Sequence, residues 1–327
     1  MALLSVKNLT IGYKTKKGLL KAVDNISFDL EKGSPLGFVG ESGCGKTTIG
    51  MALMGLLPEN AVILDGSIQF QGEDLVLLKE KQWRRVRGAK IAMIFQAAMN
   101  ALNPVHRVED QIKEAIITHQ PDMSSADLTA RLQELFSLVD IPVQRMKDYP
   151  HEYSGGMKQR VIIAMALACD PDLIIADEPT TALDVIVQDQ ILQEIRKVQQ
   201  KTRTGLIFIS HDIAVVASVC DRICVMYAGQ LVETGTKKEV FTSPRHPYTR
   251  SLLGSYLSLD NLNDIVIPDM QESPDLLSDI GSCRFADNCK VCSGVCRKEA
   301  PDWIDISGTH KAFCCEPQII RGSHGKT

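Results

Sequence analysis

Gly40-Glu41-Ser42-Gly43-Cys44-Gly45-Lys46-Thr47 reads G-x-x-x-x-G-K-T, the pattern of a phosphate-binding loop. The apolar run Pro35–Leu36–Gly37–Phe38–Val39 before it predicts a buried strand. Thr48 to Leu57 after it predicts a helix stopped by Pro58. Strand, glycine-rich loop and helix in that order form the context the pattern requires. Without a Cβ, Gly40, Gly43 and Gly45 let backbone N–H groups curl around an anion. The helix start adds its partial positive charge at the same point. Lys46 is suited to reach β- and γ-phosphates, and the Thr47 hydroxyl to hold Mg²⁺. The alternative is a plain glycine-rich turn before a helix.

Outward from the loop, Leu4, Val6 and Leu9, then Val23, Ile26, Phe28 and Leu30, are spaced as in strands. Gly12 and Lys16–Lys17–Gly18 read as turns between them. Tyr13 offers a flat face that could stack on a purine, or it is an ordinary strand aromatic. Ile63–Phe70 and Ala89–Phe95 predict two further strands, the second ending at Gln96. From residue 97 the pattern turns helical, with apolar spacing in Ala126–Leu128–Leu132–Leu135–Phe136–Leu138–Val139. Gln120-Pro121-Asp122 and Ile141-Pro142 break this insertion, and a helical subdomain spans about residues 97–168. Ser154 caps a helix to about Ala168, and Gly155 and Gly156 leave its N-terminus open to an anion, a plain capped helix start being the alternative.

Leu173–Ile174–Ile175–Ala176 reads as a buried parallel strand closed by Asp177–Glu178–Pro179. Two adjacent carboxylates at a strand's carboxyl end are costly without ligands. Asp177 would hold Mg²⁺, directly or through water; Glu178 would orient or deprotonate water beside a γ-phosphate. A pair of solvated loop acids is the alternative. Thr181–Ala182–Leu183–Asp184 leads into a helix, Val185 to about Thr202. Leu206–Ile207–Phe208–Ile209 is another buried strand, ended by Ser210–His211–Asp212; His211 thus stands on the ligand edge of an open α/β sheet, although such a histidine alone is more often structural. Ile223–Met226 and Gln230–Glu233, around Ala228–Gly229, predict a closing hairpin.

The chain of 327 residues is long enough for about two domains, and 44% apolar with 23% charged residues is ordinary for a soluble protein. A net charge of −4 without a basic block does not favour nucleic acid as a partner. The longest apolar run, Val161 to Cys169, falls short of the roughly 20 residues that a membrane span needs. No signal-peptide pattern is evident at the N-terminus, so a cytosolic protein is expected.

Taken together and in this order, the phosphate loop, Gln96, Ser154–Gly155–Gly156, Asp177–Glu178, Ala182–Leu183–Asp184 and His211 resemble the nucleotide-binding subunit of ABC transporters. The resemblance covers roughly residues 3 to 240. Phe95–Gln96, Leu102–Asn103–Pro104, Tyr149–Pro150–His151–Glu152, Thr180 to Gln188 and Arg245–His246–Pro247–Tyr248–Thr249 look like the oligopeptide/dipeptide/nickel import branch. Tyr153 stands where the family usually has Leu before Ser-Gly-Gly-Met. The implied fold is α/β: a P-loop NTPase ABC cassette with a RecA-like core, an antiparallel β subdomain and an α-helical subdomain. It would occupy residues 1–255, with a linker and a small Cys-rich extension over 256–327.

The resemblance also implies roles. ATP would be held by Tyr13 on the adenine and by Gly40, Ser42, Gly43, Cys44, Gly45, Lys46, Thr47 and Thr48 on the phosphates. Mg²⁺ would be held by Thr47, Gln96 and Asp177. Glu178, His211 and Gln96 would form the catalytic set, with Asp184 in the D-loop. Ser154, Gly155, Gly156 and Gln159 would face ATP bound by an opposing subunit. A complete site would therefore need two chains head to tail, the second a paralogue. Further implied partners are two integral membrane permease subunits and, indirectly, an extracytoplasmic solute-binding protein, with this chain peripheral on the cytoplasmic face of the membrane. Peptides are the expected solute; nickel or another small solute is the alternative. A soluble ABC ATPase acting on nucleic acid or ribosomes is a different class, and the short helical insertion and single cassette speak against it.

Of ten cysteines, six crowd between Cys283 and Cys315. In a reducing compartment such a cluster favours metal over disulfides. Only Cys289 and Cys292 form the C-x2-C hook of a zinc site, an iron–sulfur cluster tolerates looser spacing, and free structural thiols are the third reading. The family resembled here carries a four-cysteine C-terminal extension that in some members holds a [4Fe–4S] cluster. That implies Cys283, Cys289, Cys296 and Cys314 as ligands, with Zn²⁺ as the alternative and Phe285, Pro301 and His310 as supporting residues.

Overall fold

The computed structural model describes residues 2–96, 101–181, 183–257, 274, 276–277 and 281–316. Ala182, most of the expected linker and the start of the helical insertion lie outside them. In chain order the elements are β1 (Ala2–Thr15), β2 (Gly18–Glu31), β3 (Pro35–Val39), α1 (Lys46–Leu53), β4 (Ala61–Phe70), β5 (Glu73–Asp74), α2 (Glu80–Val86) and β6 (Ile91–Ile94). They continue with α3 (Val108–His119), α4 (Ser125–Leu138), α5 (Gly155–Ala166), β7 (Leu173–Asp177), α6 (Val185–Thr202), β8 (Gly205–Ser210) and α7 (Ile213–Val219). The last are β9 (Arg222–Tyr227), β10 (Gln230–Thr236), α8 (Lys237–Thr242), α9 (Pro247–Leu257), β11 (Asp302–Ser307) and β12 (His310–Cys314).

These residues form two compact units. The first comprises Met1–Leu3, Leu30–Pro35 and Leu77–Ile209. Its strands run parallel in the order β8-β7-β6, with Ile91 opposite Leu173 and Asp177 opposite Ile209. Their residues are almost all buried, as expected of parallel strands covered on both faces. The expected helical insertion is here: α3 packs on α4 and α5. Val108, Ile112 and Ile116 of α3 and Leu132, Leu135 and Phe136 of α4 are buried at helical spacing.

The second unit comprises Leu4–Asp29, Leu36–Val76 and Ser210–Thr327. One sheet has the order β2-β1-β4-β5 and is antiparallel between β1 and β4. Gly12, expected at a turn, lies within β1, where a Cβ would come within 2.8 Å of the end of the Leu19 side chain. A second set of strands has the order β11-β12-β10-β9-β3. β3 and β9 are parallel, and β9 and β10 form the expected hairpin, turning at Ala228 (φ 47°) and Gly229 (φ 85°). Paired positive φ values match the right-handed twist of the flanking strands. α1 ends at Leu53, before the expected Leu57. Gly55 (φ 60°) stops it: its N–H donates to Ala52 O at 3.0 Å, and Leu56 N–H to Met51 O at 2.8 Å.

The cysteine-rich segment brings a hairpin that its composition did not announce. β11 and β12 pair with each other, and β12 pairs with β10, Glu233 opposite Ala312. Ile304, Ala312 and Cys314 bury its inner face, with Ile306 against them.

Candidate functional site

The phosphate loop belongs to the second unit and joins β3 to α1. A Cβ at Gly40 would lie 2.1 Å from Met226 O, and one at Gly45 (φ 106°) 2.4 Å from Ala22 O, so backbone passes where a side chain would sit. Lys46 is buried and donates to Gly40 O at 2.6 Å, to Glu41 O at 2.7 Å and to Cys44 Sγ at 3.5 Å. Ser42, Gly43 and Thr47 are exposed at the mouth. Tyr13 Oη lies 3.2 Å from Thr48 Oγ1, which fixes the aromatic beside the first turn of α1. Burial pushes the Glu41 carboxyl above its ordinary range, opposed by the Lys46 charge. Burial likewise raises the Cys44 thiol, which stays protonated in spite of Lys46. His211, just past β8, is also in this unit and exposed. Asp212 beside it caps α7, accepting from Ala214 N–H at 2.8 Å.

Gln96, Ser154, Gly155, Gly156, Gln159, Asp177, Glu178 and Asp184 lie in the first unit. β7 delivers Asp177, only 2% exposed, at its carboxyl end. Glu178 follows with φ 46°, and its N–H donates to Ile209 O at 2.9 Å. A non-glycine residue there costs about 1–3 kcal/mol and persists only when its surroundings hold it. Here Gln96 Nε2 donates to Glu178 Oε2 at 3.1 Å and Thr181 Oγ1 to the same oxygen at 3.0 Å. Two residues singled out from distant stretches of sequence thus meet.

Ser154 caps α5, its Oγ accepting from Met157 N–H at 3.3 Å, and Asp184 caps α6, accepting from Val187 N–H at 2.9 Å. The two helix starts share a half-open recess of about 400 Å³ lined by Ser154, Gly155, Gly156, Arg160, Leu183 and Asp184. A Cβ at Gly156 would come within 2.9 Å of Val187 Cγ1. Gln159 is buried and does not line this recess. Tyr153 is buried; its hydroxyl donates to Arg145 O at 2.6 Å, and the Arg145 guanidinium lies 5.3 Å from its ring centroid. The larger side chain at this position is thus accommodated without displacing the Ser154 cap.

In the cysteine-rich segment, Cys283 N–H donates to Cys296 O at 2.9 Å and Cys292 N–H to Cys289 O at 3.0 Å. Cys283 is pushed up to about 11, by burial first and further by the neighbouring Cys314, Cys296 and Cys289. Sulfur donors of the right kind are therefore present in one short segment. Among the described residues, however, no three His, Cys, Asp or Glu side chains are arranged to hold a metal ion. Two residues expected to support the cysteines serve the cassette instead. Phe285 packs on Tyr227 (ring centroids 5.2 Å apart) and on Tyr248 (5.6 Å), and His310 Nε2 lies 2.7 Å from Glu233 Oε1. Glu239 links the hairpin to α8: burial raises its carboxyl, but hydrogen bonds from Thr236, Ser307 and Thr309 outweigh this and hold it at about 2.

Sequence reading passed over Tyr248 as a site residue. Its hydroxyl accepts from Glu41 N–H at 3.1 Å, behind the phosphate loop. The aromatic in the Arg245–Thr249 stretch was visible, but nothing local pointed to a partner so far away in the chain.

Comparison with known proteins supplies the family. Residues 23–181 match the family model "ABC transporter", and residues 232–296 match "Oligopeptide/dipeptide transporter, C-terminal region". The dipeptide transport ATP-binding protein DppD of Bacillus subtilis is 47% identical over 95% of this chain and 93% of its own length. The oligopeptide transport ATP-binding protein OppD of the same organism is 45% identical over 94% and 87%. Among solved structures, a bacterial ABC transporter cassette in its dimeric form covers 72% of this chain and 98% of its own, with a TM-score of 0.63 and 26% identity.

Proposed function

The chain belongs to the ATP-binding subunits of the oligopeptide/dipeptide ABC transporters, and from that premise we propose that it hydrolyses ATP to drive uptake of di- and oligopeptides through separate membrane subunits. The observation that supports this most is the Gln96–Glu178 hydrogen bond of 3.1 Å beside the buried Asp177. A carboxylate oriented by an amide and a hydroxyl is equipped to receive a proton from water. In the proposed step Glu178 takes that proton. The water oxygen bonds to the γ-phosphorus as the bond to the bridging oxygen breaks, leaving ADP and phosphate.

Lys46, now held by two loop carbonyls, exchanges them for phosphate oxygens. Tyr13 stacks on the adenine, Ser42 through Thr48 supply N–H and hydroxyl donors, and His211 holds the γ-phosphate. Oxygen donors of Thr47, Gln96 and Asp177 suit a hard cation. When bound, Mg²⁺ neutralises charge on the phosphate oxygens. Ser154, Gly155 and Gly156, with Asp184 beside them, face the nucleotide of a second cassette, a paralogue arranged head to tail.

No helix among the described residues is long and apolar enough to cross a membrane. By analogy with its family, the proposal puts the cassette, residues 1–255, on the cytoplasmic face beneath two permease subunits, fed by an extracytoplasmic binding protein. In residues 256–327, Cys283, Cys289, Cys296 and Cys314 would hold a [4Fe–4S] cluster as a structural crosslink; the thiolate chemistry of the four residues suits such a cluster. A brown chromophore near ~400 nm in anaerobically prepared protein, weakened by Cys296→Ser, is the expected sign.

The test of function is reconstitution in liposomes with the second cassette, the permeases and the binding protein. Peptide should stimulate ATP hydrolysis and accumulate inside. Stimulation by nickel alone would replace the solute; hydrolysis answering only to nucleic acid, or none, would overturn the reading.

A further inference from the structure

Tyr248 is fully buried at the start of α9, and its ring packs between Tyr227 (centroids 4.7 Å apart) and Phe285. Its hydroxyl accepts the N–H of Glu41. That N–H belongs to the peptide group between Gly40 and Glu41, whose carbonyl is Gly40 O. The same Gly40 O accepts from the Lys46 ammonium at 2.6 Å. One planar peptide therefore has its N–H on a buried phenol and its carbonyl on the loop lysine. Turning that plane would move the lysine's acceptor.

The phenol is itself tied down. Tyr248 N–H donates to His246 Nδ1 at 3.1 Å. Glu233, 0% exposed, accepts Arg245 N–H at 2.9 Å and His246 N–H at 2.8 Å, and meets His310 of the C-terminal hairpin. A second arm reaches the loop's other side: Arg284 donates to Ala228 O and pairs with Asp24, while Gly229 N–H donates to Cys44 O at 3.0 Å. Both arms start in the C-terminal segment and end on the phosphate loop.

We propose that Tyr248 is a positioning residue for nucleotide binding: through the Gly40–Glu41 peptide it sets where the Lys46 ammonium stands, and the C-terminal segment holds Tyr248 in place. The proposal rests on the loop being the ATP site. A loop of free backbone must be ordered when phosphate binds; one already clamped on its N–H side is not. Removing the phenol oxygen leaves a half-buried N–H without its acceptor and frees the plane.

The experiment is calorimetric titration of the purified full chain with MgATP, comparing the parental protein, Tyr248→Phe and Tyr227→Phe. Tyr227→Phe removes a neighbouring hydroxyl that accepts from Asn288 and does not touch the loop. Tyr248→Phe should weaken MgATP binding about tenfold, with Tyr227→Phe unchanged. Equal MgATP affinity in all three overturns the proposal, whatever their melting temperatures. Should Tyr248→Phe fail to fold, amide exchange of Glu41 in the parental chain decides: slow exchange supports the clamp, and exchange at the rate of an open loop contradicts it. A parental chain that binds no MgATP removes the functional reading, while the exchange result still judges the Tyr248–Glu41 link.

Discussion

The two units offer contrasting halves of a nucleotide engine. The phosphate loop is closed on itself: its lysine sits on its own carbonyls, Gly40 and Gly45 press against backbone, and Tyr248 and Gly229 brace it from behind. The starts of α5 and α6 are open. Ser154 and Gly155 are exposed, and Val185 and Ile186 next to Asp184 are 81% and 74% exposed. These large aliphatic side chains, bare beside an open recess, are what the proposed second cassette would cover. In the proposed mechanism the first of these binds nucleotide within one chain, and the second is completed by another.

The sharpest way to break this contrast is to strip each half in turn. Lys46→Ala should cut MgATP affinity of the isolated chain by about a hundredfold or more, because a charge-assisted contact to phosphate is lost. Gly156→Asp should leave that affinity unchanged, yet lower hydrolysis by the assembled transporter by at least about tenfold, since its Cβ collides with Val187 and its charge opposes an anion. Titration and phosphate release measure the two effects, and equal loss of affinity in both variants would erase the distinction.

A smaller effect concerns the bracing behind the loop. Burial lowers His246 to about 4, with Glu233 raising it and Arg250 lowering it. The unfolded chain therefore binds this proton more readily. The stabilising contribution is full above about 6.5 and is lost as pH falls toward about 4. Denaturant titration of this chain should show a loss on the order of 2 kcal/mol between pH 7 and pH 4.5 that His246→Gln removes. The smallest effect is at the signature. Tyr153→Phe loses one hydrogen bond to Arg145 O and should cost about 1 kcal/mol with little change in turnover.

Structure around the site was legible where it is local. The phosphate loop, the acids after Leu173–Ala176, the Ser154 cap and the helix from Val185 each depend on neighbouring residues, and each lies where the pattern predicted. Contacts closed by the fold were not legible. Glu41 and Tyr248 are 207 positions apart, and nothing in either stretch names the other. The β11–β12 hairpin was hidden by attention to cysteines, although Trp303-Ile304-Asp305-Ile306 alternates as a strand does. Short α2, with one turn's worth of apolar signal in Trp83 and Val86, fell below what periodicity resolves.

The central claim, two chains around ATP, is tested most directly by sedimentation of Glu178→Gln with its partner cassette. With hydrolysis blocked, ATP should hold the pair together and ADP should release it. A pair that stays apart in ATP, or associates equally in ADP, would contradict the account.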